Sequence, residues 1–361
     1  MDIQRSCRDA NIIMYKIFFS RLTLALLVSL LFCRLNAQNR KWSSVKIMFY
    51  NVENLFDIYD DTLKDDNDFL PGGVMHWNFY RYDKKINGLY KTIVAAGEFS
   101  PPPIISFCEV ESRKVLEDLV NKTYLSKYGY DIVHEDSPDR RGIDVCMIYR
   151  SDLVKIFDYK YWIPKGMMEK NFSSRSILYV KIEIYNDTLN LFFNHWPSRR
   201  GGVLSGEKLR ILIASTIRDK VDSLIQSNNA DDKIIIMGDF NCTPDSREIK
   251  ALLASDEKDD ILINISGNLA EEGNGTYRYR GNWEMIDQVI VSKGLLSDSK
   301  GLYTDKESLT IFRPDFLLVR DQKYPGFTPF STYRGYRYKG GFSDHLPILL
   351  TLKIRAPDQW E

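Results

Sequence analysis

Five positions in this chain set a carboxylate, an amide or an imidazole at the end of a largely apolar run, and these are the groups that bind hard cations and move protons. Residues 234–237 are Ile, Ile, Ile and Met, and the run stops at Gly238, Asp239, Phe240 and Asn241. Residues 191–193 lead into Asn194, His195, Trp196 and Pro197. Near the C-terminus the order is reversed, with Ser343, Asp344 and His345 first and the apolar residues 346–350 after them. Asn51 closes the run 45–50, and Glu109 closes 104–107. Singly, each has an ordinary structural reading, since an Asp at a strand end is commonly a turn or cap residue and a lone His a satisfied core group. Five of one kind point instead to a shared polar rim. If extended geometry continues, Asp239 and Asn241 face the same side and Phe240 the other.

Buried strands are the elements that would position such groups. Strand-like runs at 45–50, 104–108, 143–149, 177–184, 189–194, 233–237, 285–291 and 345–353 alternate with amphipathic segments. The clearest helix spans about 206–227, where Leu209, Leu212, Ile213, Ile217, Val221, Leu224 and Ile225 form an apolar stripe. Others are expected near 81–96 and 112–121, the second capped by Ser112. This alternation means an α/β fold with strands buried on both faces, although the pattern alone does not count the sheets. Three segments read as surface insertions. Residues 57–68 are rich in aspartate without EF-hand spacing, which favours a solvated loop over a second cation site. The charged stretch 135–142 reads as a hairpin tip. Residues 320–341, rich in Tyr, Arg, Lys and Gly, read as a long loop for substrate contact.

In chain order the motifs are FYNVENLFD with Asn51, ISFCEVE with Glu109, FNHWPS with His195, GDFN with Asp239 and Asn241, MIDQVIVS with Asp287, and SDHLP with Asp344 and His345. Together they resemble the endonuclease/exonuclease/phosphatase superfamily, the deoxyribonuclease I-like phosphoesterases, over nearly all of residues 45–354. Each motif is weak alone; the ordered set is specific. The resemblance implies a four-layer α/β sandwich, two packed mixed sheets flanked by helices, and divalent-metal-dependent hydrolysis of phosphate esters. One departure is Cys108, which stands where many members carry Gln before the metal-binding Glu.

Phosphate ester hydrolysis needs charge neutralised on the phosphoryl oxygens, a nucleophilic water and a stabilised leaving oxygen. Hard carboxylate oxygens suit Mg²⁺ or Mn²⁺, with Ca²⁺ also open, and Glu109 is the leading ligand with Asn51 and Asp344 assisting. Glu111 reads as an acid at a helix N-terminus. Asp287, heading the run 289–291, is the candidate partner that fixes the tautomer of His345. By the resemblance, Asp239 orients or deprotonates the attacking water, while Asn241 and His195 donate hydrogen bonds to the charge developing around phosphorus. Asp239 and His345 both stay open as the base. Asp144 pairs either with His195 or in a strand-edge salt bridge. Arg199 and Arg200 are candidate clamps for a second phosphate. Tyr277 and Trp283, with Arg278, Tyr279 and Arg280 between them, form a cationic and aromatic mixture suited to bases and phosphates, as does 333–339.

Over 361 residues the formal net charge is zero, which argues against a strongly basic nucleic-acid coat but leaves room for local positive charge from a metal. Nucleic acid is the first-choice phosphodiester substrate. A phospholipid headgroup, sphingomyelin or a phosphoinositide, is the alternative, with 324–330 (YPGFTPF) as its candidate membrane-facing hairpin. A secreted binding module on a dead scaffold is the third reading; its mark would be a missing catalytic residue, and none is missing. No obligate protein partner is evident. Residues 22–33 form an apolar run between Arg21 and Arg34, followed by Leu35, Asn36, Ala37 and Gln38, which reads as a secretory signal cleaved near Ala37. Cleavage would leave one catalytic domain, 38–361, secreted or periplasmic and without a transmembrane span; the run is short for one. A retained anchor or a lipidated Cys33 are the alternatives, and Met14 as the start would make 1–13 an extension. Cys108, Cys146 and Cys242 would remain, an odd set with no disulfide framework.

Overall fold

A computed structural model describes residues 44–98, 100–164, 175–199, 203–227, 232–254, 261–297 and 301–354. The expected signal segment, Cys33 and Arg200 lie outside these residues. In chain order the first elements are Ser44–Leu55 (β1), Phe79–Ala96 (α1), Ile104–Val110 (β2), Arg113–Asn121 (α2), Tyr130–Val133 (β3), Asp144–Arg150 (β4), Lys155–Trp162 (β5), Ile177–Ile184 (β6), Asp187–His195 (β7), Val203–Ser227 (α3), Ile234–Asp239 (β8) and Arg247–Leu253 (α4). They are followed by Leu262–Asn264 (β9), Gly267–Glu271 (α5), Tyr277–Tyr279 (β10), Asn282–Glu284 (β11), Asp287–Ser292 (β12), Lys293–Leu296 (α6), Leu302–Tyr303 (β13), Leu309–Ile311 (β14), Leu318–Arg320 (β15), Phe327–Pro329 (β16), Tyr333–Arg334 (β17), Arg337–Tyr338 (β18) and Ile348–Ile354 (β19).

One seven-stranded sheet has the order β13-β19-β1-β2-β4-β3, with β14 also paired to β19, and a six-stranded sheet has the order β5-β6-β7-β8-β12-β9. Each contains a single parallel pair, β1 with β2 and β7 with β8. Parallel neighbours need a crossover connection, and α1 and α3 supply the two. Apolar residues on both faces of the central strands then fix four layers. In β1, Ile47 and Phe49 enter the layer shared with Val180, Leu191 and Met237 of the other sheet, while Met48 and Tyr50 pack with Leu89, Ile93 and Leu116 of the first helix layer. In β8, Ile235 and Met237 face the shared layer and Ile234 and Ile236 lie against Ile217 and Val221 of α3. Each fully buried side chain of this kind contributes about 1.5–3 kcal/mol, so both sheets are held rigidly behind their polar ends.

Several elements depart from the sequence expectation. The strand placed at 345–353 begins at Ile348, because residues 343–347 instead cross the rim, where Leu346 N donates to Thr276 O (2.8 Å) and Phe312 N to Pro347 O (2.8 Å). Ser112 occupies the cap position of α2 but makes no cap hydrogen bond, so that helix is held by Val115, Leu116 and Leu119. Residues 320–341 form two hairpins, β15–β16 and β17–β18, in place of an irregular loop. β5 was not legible because it is a partly exposed edge strand, KIFDYKYW, without an apolar run. No helix among the described residues is long and apolar enough to cross a membrane.

Candidate active site

Strand register brings the polar ends to one rim. His195 is the partner of Asp239 in the parallel β7/β8 ladder, and Asp239 stands opposite Asp287 in the antiparallel β8/β12 ladder. In the other sheet Asn51 pairs with Cys108, the residue before Glu109. Ser343 ties the last cluster in, its Oγ donating to Asn51 O (2.7 Å) and accepting from His345 N (3.1 Å). Parallel strands end at the same edge and their antiparallel neighbours start there, so residues scattered from 51 to 345 converge.

Asn51 bridges the two sheets. Its Nδ2 lies 3.0 Å from Asp239 Oδ2 and 3.3 Å from Glu109 Oε1, and its Oδ1 accepts from Glu53 N at 2.9 Å, which fixes the orientation of the amide. His195 Nε2 is 3.7 Å from both Glu109 Oε1 and Asp239 Oδ2. His345 Nδ1 is 2.7 Å from Asp287 Oδ2, and its Nε2 is 3.9 Å from Asp239 Oδ2. Thr276 Oγ1 donates to the same Asp287 oxygen. Glu109 has φ +64°, left-handed for a residue with a side chain, and the β2/β4 register shifts around it. Such a conformation costs about 1–3 kcal/mol. Here it turns the carboxylate out of the strand, where Oε2 accepts from Asn54 N (2.9 Å).

Burial sets the protonation states. The Asp239 carboxyl is raised to about 7 by loss of solvent, opposed by His345 and reinforced by Asp287. Loss of solvent, then the charges of Arg175 and Arg141, hold His195 well below its ordinary value. Burial would also lower His345, but the Asp287 and Asp239 carboxylates outweigh it and hold this imidazole well above its ordinary value. Asp344 is raised by burial and by Glu109, against His345 and Lys85. One histidine is therefore kept neutral and the other charged. The cleft above them has a volume of about 620 Å³, within the range of small-molecule sites.

Residues 46–354 match the endonuclease/exonuclease/phosphatase family. The chain belongs to that family. Its fold is similar to a humanized D. rerio TDP2 with 14 mutations (16% identity, TM-score 0.53, covering 86% of this chain and 99% of that one). It is also similar to the human Nocturnin catalytic domain with bound sulfate (14%, 0.52, 87% and 95%) and to a mannosyl-6-phosphatase of Bacteroides thetaiotaomicron (14%, 0.51, 87% and 100%). At these identities the likeness carries the fold alone. No curated protein matches the chain by sequence. As a member of the endonuclease/exonuclease/phosphatase family the protein is a phosphoesterase, and enzymes of this family depend on divalent metals.

The donor set fits a hard divalent cation. Glu109 and Asp344 line the cleft with their oxygens, and Asn51 lies buried just behind Glu109. Tighter clusters, with ligand atoms within 4.8 Å, form around Asp239, with Asp287 and His345 on one side and Cys108 and His195 on the other. Burial pushes the Cys108 thiol well above its ordinary value, which keeps it protonated and unsuited as a ligand. His345 Nδ1 is engaged by Asp287. The carboxylate oxygens of Glu109 and Asp344 are the hard donors at the cleft, because Asn51 turns its Nδ2 toward Glu109 and commits its Oδ1 to Glu53 N.

The structure places His195, Asp239, Asn241, Asp344, His345, Glu109, Arg199 and Tyr277 around the cleft. Asp287 is buried beneath it. Other expectations are corrected. Asn241 does not continue the strand: β8 ends at Asp239, Asn241 adopts φ +50°, and its Nδ2 donates to Trp196 O (3.0 Å) while its N donates to Asp239 Oδ1 (2.9 Å). Trp283 is not part of the cleft lining, and the Arg313 guanidinium sits 4.2 Å from its ring centre. Asp144 pairs with His134 (3.3 Å) and accepts from Ser137 N (2.8 Å), so His195 is not its partner. Arg199 Nε donates to Asn241 O (3.0 Å) and its Nη2 lies 3.3 Å from Glu284. Arg141 and Arg175, both beside Asp139, line the cleft and were missed. Arg175 heads the apolar run 177–184, the same strand-end signal that marked the other residues, whereas Arg141 was hidden in a charged tip read as surface.

Proposed function

We propose that the protein is a secreted phosphodiester hydrolase that uses Mg²⁺, with Mn²⁺ or Ca²⁺ as substitutes, and acts on nucleic acid. The observation that carries the reading is the Asn51 amide held between Asp239 and Glu109, at 3.0 and 3.3 Å, which turns a proton acceptor and a cation ligand toward the same small volume. Glu109 and Asp344 would hold the cation, which when bound offsets the charge on the phosphoryl oxygens. Asn51, whose Nδ2 faces Glu109 Oε1 while its Oδ1 accepts from Glu53 N, would orient the Glu109 carboxylate in place of the ligand role expected from the sequence. Asp239, raised to about 7, accepts the proton of the attacking water near neutral pH. His345, charged and steered by Asp287, stabilises negative charge on the phosphoryl group. His195 and Asn241 orient the phosphate through hydrogen bonds, and Arg199, Arg175 and Arg141 supply positive charge to the cleft wall. Tyr277 and Tyr279 give nucleic acid bases an aromatic surface.

The purified protein should hydrolyse bis(p-nitrophenyl) phosphate with Mg²⁺ or Mn²⁺ and lose that activity in EDTA. Full turnover in chelator, or none with any of the three metals, overturns the reading. A panel of single-stranded and plasmid DNA, RNA, sphingomyelin, phosphoinositides and a phosphomonoester identifies the substrate. A second reading, phospholipid headgroup hydrolysis, is favoured by Phe327, 55% exposed on β16 within YPGFTPF. Turnover of vesicles but not of nucleic acid would establish it. Secretion rests on the leader pattern at 16–38; exported protein whose N-terminus is Gln38 supports it, and an uncleaved cytoplasmic product refutes it.

A further inference from the structure

A second groove opens directly from the cleft. Its volume is about 260 Å³, and it shares Tyr277, Tyr333, Gly335 and Asp344 with the cleft, so it begins at a residue proposed to help hold the cation. The three hairpins β10–β11, β15–β16 and β17–β18 supply most of its wall. Arg278 fastens two of them together, with Nε donating to Gly281 O (3.1 Å) and the guanidinium donating to Pro325 O (2.5 Å) and Phe327 O. The backbone bridge of Tyr277 to His345 joins this assembly to the reacting centre. The groove is therefore a fixed extension of the site.

Charge along it is one-sided. Arg278, Arg280, Arg320, Arg334 and Lys339 line it against the carboxylates of Asp321 and Asp344. Asp321 is already occupied, accepting from Lys323 N (2.8 Å) and Arg334 Nη2 (3.2 Å). Arg280 sits at φ +49° beside Gly281 at φ +88°, the two-residue turn of β10–β11, where Asn or Gly is the usual first occupant. Arg320 and Lys339 are exposed, and among the described residues no ion pair engages either. Two cations without an ion-pair partner, in a groove leading from a phosphoesterase centre, supply positive charge that a backbone phosphate neutralises and a neutral substituent does not.

We propose that this groove binds the phosphate of the nucleotide next to the scissile one, in a single strand, with Arg320 and Lys339 as its contacts. The inference rests on the phosphodiesterase reading and adds the substrate's second phosphate to it. A volume of about 260 Å³, below the usual range of ligand pockets, suits one backbone unit of a single strand. Tyr277, whose ring centre is 5.0 Å from that of His345, stands at the junction where a base between the two phosphates would lie.

The test compares wild type with Arg320→Glu, Lys339→Glu and the double variant. Binding of a fluorescein-labelled single-stranded octanucleotide is measured by anisotropy in EDTA, and hydrolysis of bis(p-nitrophenyl) phosphate is measured with Mg²⁺. The double variant should bind at least ~10-fold more weakly, with the slope of log K against log salt reduced by one to two, and should retain wild-type kcat/KM on the single-phosphate substrate. Unchanged affinity and salt slope would overturn the subsite, whatever happens to the small substrate. Absent turnover of bis(p-nitrophenyl) phosphate in the wild type would instead remove the phosphodiesterase reading. Equal loss of duplex and single-strand binding would overturn the single-strand assignment. Should charge reversal unfold the protein, Arg320→Ala should still weaken binding about threefold, and no weakening would refute the contact.

Discussion

Replacing Asp287 by Asn removes a charge while leaving the hydrogen-bond geometry available. Asp287 Oδ2 accepts from both His345 Nδ1 (2.7 Å) and Thr276 Oγ1, whereas Oδ1 is buried without a hydrogen-bond partner among the described residues. An asparagine can keep its oxygen at the doubly accepting position and put its NH₂ where the unpartnered oxygen lay. At 2.7 Å two unit charges interact by about 6 kcal/mol at an effective dielectric of 20, and desolvation cancels much of this. A hydrogen bond to a charged group exceeds a neutral one by about 1–2 kcal/mol, which sets the more realistic scale. Taking ~2 kcal/mol as the loss of transition-state stabilisation, kcat on bis(p-nitrophenyl) phosphate should fall about 30-fold with KM little changed. The His345 imidazole, held up chiefly by Asp287 and Asp239 against burial, should lose its proton at lower pH in the variant. A reaction that needs the charged form would then lose its alkaline limb at lower pH. Thermal stability should change little, because the substitution also removes a buried, incompletely satisfied charge. Wild-type kcat and an unshifted pH profile would refute the proposed charge-based steering of His345. A rate loss accompanied by a collapse in Tm would show a structural role instead.

Glu109→Gln should lower activity at fixed Mg²⁺ by at least ~100-fold and move half-activation to higher metal, read by metal titration of the rate; an unchanged titration would remove Glu109 as a ligand. Gly238→Ala should cost about 1–3 kcal/mol in urea denaturation and reduce kcat, because a Cβ there would lie 2.3 Å from Asn194 O and would separate β7 from β8 just before His195 and Asp239. Lys85→Met should destabilise by about 3–5 kcal/mol, since the buried ammonium donates to Thr332 Oγ1 (2.5 Å) and Phe342 O (2.5 Å) and offsets the charge of Glu53. Its activity loss should exceed its effect on KM, because residue 342 leads straight into the Ser343 to His345 segment; full activity in the folded variant would show that the anchor is dispensable.

Sequence alone determined where most apolar runs break, because burial on both faces forces such a run and a break in it exposes the first polar side chain, although β1 runs on past Asn51 to Leu55 and the last strand starts only at Ile348. Asp239, His195 and Glu109 were legible on that rule, whereas the close approach of two backbones at Gly238 emerged only from the structure. The alternation of strand and helix likewise determined the α/β class. What tertiary structure decided was the meeting of these ends. Register between strands far apart in sequence set His195 against Asp239 and Asp239 against Asp287, and no local pattern encodes such a pairing. It also decided the cases in which several partners were equally compatible with the chain. Asp144 turned to His134, Trp283 to Arg313, and Asn241 left the strand for a left-handed conformation. The groove of hairpins depended on it entirely, since short strands such as Tyr333–Arg334 have too few residues to show a period and gain their stability from the pieces they pack against.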